Sequence, residues 1–190
     1  MPRTAREPKK RDPRRGLRAP IPQRALVVSL PFSATLRAGK VAAAVATGLR
    51  AAGCPAPDVL ALDDGPHGAP EAPGAEPQTA GGEPQAAGAE LEDPGAAPRA
   101  ALELAGFEER LRRARAVILV AARLERDRLR GTLELEILTR ARQIGVPAYA
   151  ICREERLDAF DARLLDLQVV LEARSERALS AAARRLAPLL

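Results

Sequence analysis

The sequence predicts an α/β domain in three layers, with a five-stranded, mainly parallel sheet between two layers of helices. Short runs of β-branched and aliphatic residues alternate along the chain with stretches whose apolar residues recur at helical spacing. Those runs are mostly continuous apolar stretches instead of alternating with polar residues, which marks strands covered on both faces by crossover helices. Length sets the scale: 190 residues suffice for one domain with a real core and a linker or small extra unit.

Residues 1–24 precede the first core strand. They hold nine Lys/Arg against Glu7 and Asp12, a net +7, so the other 166 residues carry −2 of the chain's +5. Pro2, Pro8, Pro13 and Pro20 punctuate them and no helical period runs through, which predicts a disordered basic tail. Blocks of like charge are usually solvated. The four aromatic residues, Phe32, Phe107, Phe160 and Tyr149, leave little to stack on bases, which weakens a reading as a single-strand nucleic-acid binder.

ALVVSL (25–30) is strand-like, and Pro31 ends it. Ser33 or Thr35 is placed to cap the helix that follows. In 36–52, Val41, Val45 and Leu49 share one face, with Ala38 and Ala42 beside them. DVLAL (58–62) is the second strand. From Pro66 to Pro98 the composition changes to seven prolines and six glycines among Ala, Glu and Gln, which reads as a flexible, weakly acidic linker. Leu104, Phe107 and Leu111 then space a helix over 101–114. AVILVAA (116–122) is the most strand-like run and is expected at the centre of the sheet. A helix over 135–145 ends at Gly145, placed as a C-cap. VPAYAIC (146–152) is a strand, 158–165 a short helix and LQVVLEA (167–173) the last strand. Ser175 is placed to cap the closing helix. Five strands in this alternation make a Rossmann-like or flavodoxin-like domain over 25–65 and 99–190, with 66–98 as its linker.

Generic motifs exclude several chemistries. There is no GxxxxGK[ST] loop, and no GxGxxG follows the first strand. Cys54 and Cys152 lie far apart and His67 is the only histidine, which argues against a zinc site and for small buried thiols in a reducing cytoplasm. No apolar run approaches the ~20 residues of a membrane helix, and the basic N-terminus lacks the apolar core of a secretory signal.

Three loops carry a resemblance. SLPFSATL (29–36) is similar to PDSFKGTL, DDGPHGA (63–69) to ADGGEGT, and VAARLERDRLRGT (120–132) to GEGRLDxQSLxGK; GVPAYAI (145–151) then matches GVPxxAI. In this order, these patterns are those of the bacterial glycerate kinase family. Phe32, Thr35, Leu36, Asp64, Gly65, Gly68, Arg123, Leu124, Leu129 and Gly131 match. The resemblance implies a kinase that phosphorylates glycerate with ATP and Mg²⁺. Asp64 and Glu125 would hold the metal or orient the hydroxyl, and Arg123, Gly65, Gly131 and Thr132 would line the substrate and phosphate site.

The departures fall on the chemistry. In the third loop, the family's glutamate becomes Ala121, its aspartate Glu125 and its lysine Thr132; in the second, its glutamate becomes His67. The family fold inserts a second α/β domain into the first and places the site in the cleft between them. Here the 66–98 linker stands where that domain would be. Phosphoryl transfer is mostly positioning and charge stabilisation, so weak or lost activity is expected. The alternative is a non-catalytic binding or regulatory domain that pairs with a protein partner or with a second copy; a less favoured one is a nucleic-acid-associated protein that uses the basic tail.

Overall fold

The computed structural model describes residues 24–63 and 93–190, so most of the linker and all of the basic tail but Arg24, which opens the first strand, lie outside it. Alternate side chains of a strand leave for opposite faces of a sheet, and β3 (Ala114–Glu125) displays this most fully. Val117, Leu119 and Ala121 enter one core, while Ala116, Ile118 and Val120 enter the other. β1 (Arg24–Ser29) divides in the same way, with Leu26 and Val28 on the first side and Ala25 and Val27 on the second.

With β2 (Asp58–Ala61), β4 (Ala148–Arg156) and β5 (Leu167–Glu172), these strands form a five-stranded sheet in the order β2-β1-β3-β4-β5. Every pairing is parallel. Ile118 and Leu119 sit in the central strand and are fully buried, as their apolar run predicts.

One layer consists of α1 (Ala38–Ala51) and α6 (Glu176–Leu186), which contribute Val41, Val45, Leu49, Leu179, Ala183 and Leu186 to the second core. The two helices pack closely at Gly48, where a Cβ would collide with the Ser180 carbonyl oxygen and lie 2.8 Å from the Ala183 Cβ. The opposite layer holds α2 (Ala96–Leu104), α3 (Phe107–Arg113), α4 (Leu133–Ile144) and the six-residue α5 (Ala159–Leu164). The chain is thus a three-layer α/β domain of the Rossmann-like or flavodoxin-like kind. Among the described residues, no helix is long and apolar enough to cross a membrane.

Several caps follow the sequence. Gly145 ends α4 in the left-handed conformation at φ 76°, and the Ser175 hydroxyl accepts the Ala178 N–H at the start of α6. Three expectations are corrected. The helix expected over 101–114 is two helices, because Gly106 adopts φ 62° between them. That break turns Leu104 out to 91% exposure, and Leu102 is buried instead. Neither Ser33 nor Thr35 caps α1: Ser33 closes a preceding turn by accepting the Leu36 N–H, and extended Arg37 begins the helix. Finally, β3 and β4 run on to Glu125 and Arg156, past the apolar runs that announce them.

Candidate functional site

In open parallel sheets, ligands bind beyond the carboxyl ends of the strands, where the strand order reverses. Here that point lies between β1 and β3. The Leu30 N–H donates to the Val120 carbonyl and the Leu62 N–H to the Ser29 carbonyl, so the chain leaves β2 and β1 level with Val120, while β3 runs on to Glu125. All three stretches that carry the resemblance therefore start at one edge.

The start of α1 is tied down at this edge. The buried Ser29 hydroxyl donates to the Ala38 carbonyl at 2.9 Å. Asp63 accepts the Ala38 N–H at 2.9 Å, so a carboxylate beyond β2 satisfies one of the donors a helix start leaves open. Sequence reasoning missed Asp63. Its only local signal is a carboxylate following a strand, because its partner is 25 residues away.

Farther out, the overrun of β3 lies beside that of β4 with Arg123 opposite Glu154 and Glu125 opposite Arg156. The Arg123 guanidinium donates to Glu154 Oε2 from Nε at 3.0 Å and reaches it from Nη2 at 2.7 Å. Arg156 takes the other oxygen, Oε1, at 2.7 and 2.6 Å. Arg156, then Arg123, hold the Glu154 carboxyl below the usual carboxylate range, and Glu154 in turn raises the Arg156 guanidinium. Glu125 Oε2 lies 3.3 Å from Arg128 Nε and 3.6 Å from Arg123 Nη1. It makes no aligned hydrogen bond, so charge alone holds it. Leu124 between them is fully buried and anchors the overrun to the core.

The turn that follows is closed by its own groups. Thr132 donates its O–H to the Leu129 carbonyl at 2.9 Å and accepts the Leu135 N–H at 3.4 Å as the N-cap of α4. Gly131 adopts φ 70° beneath Pro94, whose carbonyl oxygen would lie 2.8 Å from any Cβ there. Cys152 is buried below, and burial, then Glu155 and Glu172, push its thiol up to about 12. Cys54 is only half-buried, contrary to the expectation for both thiols, because it follows the α1 C-terminus at the surface and its Sγ reaches the Ala187 carbonyl at 3.8 Å.

The structure thus brings Arg123 and Glu125 together with Arg128, and places Gly131 and Thr132 at the far end of the same turn. Asp64 and Gly65 lie outside the described residues. Asp63, the residue before them, stands two past Ala61, which is level with Ser29 and Val120; Glu125 stands five past Val120. At strand spacing, Glu125 is about 10 Å farther out and about 10 Å sideways, one strand having intervened.

Magnesium needs several oxygen ligands in near-octahedral array. Among the described residues, no group of three His, Cys, Asp or Glu side chains could hold a metal ion. Glu125 faces two guanidiniums, which occupy the charge that a cation would need. The described residues of this turn do not fit a Mg²⁺ site. Compared with family models and with curated proteins, the chain has no match.

Proposed function

We propose that the chain is a glycerate kinase-like α/β domain in which ATP-dependent phosphorylation of glycerate is weak or lost, and which works as a non-catalytic binding domain. One observation carries this reading. Arg123 and Glu125, the residues on β3 that resemble the family's chemistry, are spent on each other, on Glu154 and on Arg128. A phosphate would have to displace Glu154 from Arg123, and a hydroxyl would meet a carboxylate already facing two arginines.

The loop lysine of the family is Thr132 here, and its hydroxyl is engaged as both donor and acceptor. Losing one preorganised electrostatic group commonly costs about 10²–10³ in rate. The kinship itself is supported by the three resembling stretches, which start close to one level across β2, β1 and β3. Calorimetric titration of the full chain with ATP-Mg²⁺ and with glycerate tests the reading. It predicts no micromolar binding of either; clear saturable heats that vanish on Arg123→Ala would make this a working ligand site.

A further inference from the structure

We propose that the groove between α4 and α5 docks an acidic amphipathic helix of a partner protein. The groove lies on the helix layer, and the inference goes beyond the reading of the β3 turn without depending on it.

Its origin is a mismatch of lengths. α4 has twelve residues and α5 six, about 18 Å against 9 Å, so α5 covers only part of the surface beside its neighbour. Two cavities of about 450 and 480 Å³ remain, and they run into one another through shared Leu135, Leu164 and Leu165. Leu129 and Leu157 extend the apolar floor at one end and Leu138 at the other. Leu164 is left 51% exposed, and Phe160 one turn before it 64%. An apolar strip of this kind suits the face of a helix laid along it.

The rim sets the charge of the occupant. Arg126 and Arg130 stand at one end and Arg142 at the other, with Leu135 to Arg142 spanning about 10 Å of α4. Arg126 is paired at 2.9 Å with the buried Asp161 and is spent on the wall, so Arg130 sets the charge at that end. Arg142 uses one Nη to donate to the Leu164 carbonyl at 3.0 Å, which leaves the rest of its fork for a ligand. Arg130 is exposed and has no ion-pair partner among the described residues. Asp127 is the one exposed carboxylate in the lining. Guanidiniums at both ends of an apolar strip call for a leucine-faced helix with Asp or Glu flanking the leucines at each end.

The test uses the full chain and a pool of fluorescent 14-residue helical peptides. Each carries Leu at i, i+3 and i+7 with two Glu at either end; controls replace Glu by Lys, or Leu by Ser. Anisotropy should show the acidic peptides binding at least about tenfold more tightly than either control and weakening with salt. Arg130→Glu with Arg142→Glu should weaken binding about tenfold or more, and Leu164→Asp should abolish it without moving the melting midpoint. Equal binding of the Lys peptides, insensitivity to these variants, or no binding by any acidic peptide at 100 µM would overturn the proposal. So would concentration-dependent dimerisation lost in Leu164→Asp, which would make a second copy the occupant. Acidic-peptide binding that emerges only when residues 64–92, which hold six acidic residues and no Lys or Arg, are replaced by a Gly/Ser loop would assign the groove to this chain's own segment.

Discussion

From Ala116 to Ala121, β3 has aliphatic side chains above and below it and is fully enclosed. From Arg123 to Glu125, the same strand runs on beside β4 with a charge opposite each charge. The first half is a strand because burial makes it one. The second is a strand because Leu124 is drawn into the core and Arg123, Glu154, Glu125 and Arg156 satisfy one another on its flanks. The difference teaches where chemistry can reside: the enclosed half has no polar group to offer, and the charged half has already used its own.

The sharpest way to break this contrast is to put charge into the enclosed half. The resemblance would place a glutamate at Ala121, which is fully buried in an apolar cluster. An unpaired buried carboxylate costs several kcal/mol, against a total of about 5–15 kcal/mol for a domain. Ala121→Glu should therefore largely unfold the protein in thermal melts, and the triple change Ala121→Glu, Glu125→Asp, Thr132→Lys should not restore kinase chemistry. A cooperative melt near the parent's would show that the site can open to water. Next in size is Leu119→Ala, which should cost about 2–5 kcal/mol in urea unfolding; a loss under about 1 kcal/mol would mean that the centre of the sheet is not close-packed.

Charge changes in the overrun should be smaller. Burial, then Glu172, raise the Glu155 carboxyl above its ordinary range. A raised carboxyl weakens the fold once pH passes its unfolded value, about 4.3, and does so fully above the folded one. Glu155→Gln should thus raise the melting midpoint slightly at pH 7, and the gain should disappear below about pH 4. Glu154 has the opposite sign: its lowered carboxyl favours the fold above the unfolded value, and that contribution fades as pH falls through the folded one. As a half-exposed pair open to solvent screening its worth is slight, so Glu154→Gln should leave the pH 7 midpoint almost unmoved. A large loss there would show that the ion pairs, and not Leu124, hold the overrun.

What was legible in the sequence follows the same division. AVILV announces the central strand, Gly145 and Ser175 announce their caps, and the parallel sheet follows from the alternation. The overrun was illegible because RLE and REER have no strand pattern; their pairing depends on a partner 31 residues away. Asp63 was hidden for the same reason, its donor being 25 residues off. The break at Gly106 had a local cue, a lone glycine within a helical period, but the spacing of Leu104, Phe107 and Leu111 masked it. Arg123 and Glu125 were readable as neighbours in sequence, while the pairing of Arg123 with Glu154 of β4 was not.

The most direct measurement is coupled ADP release by the full chain with ATP, Mg²⁺ and glycerate, on the parent and on Glu125→Ala. If the charges at the end of β3 are spent on one another, glycerate should raise the rate in neither protein above its glycerate-free baseline. Robust glycerate-dependent turnover in the parent that disappears in Glu125→Ala would contradict the account, because it would show that Glu125 leaves its arginines to serve a substrate.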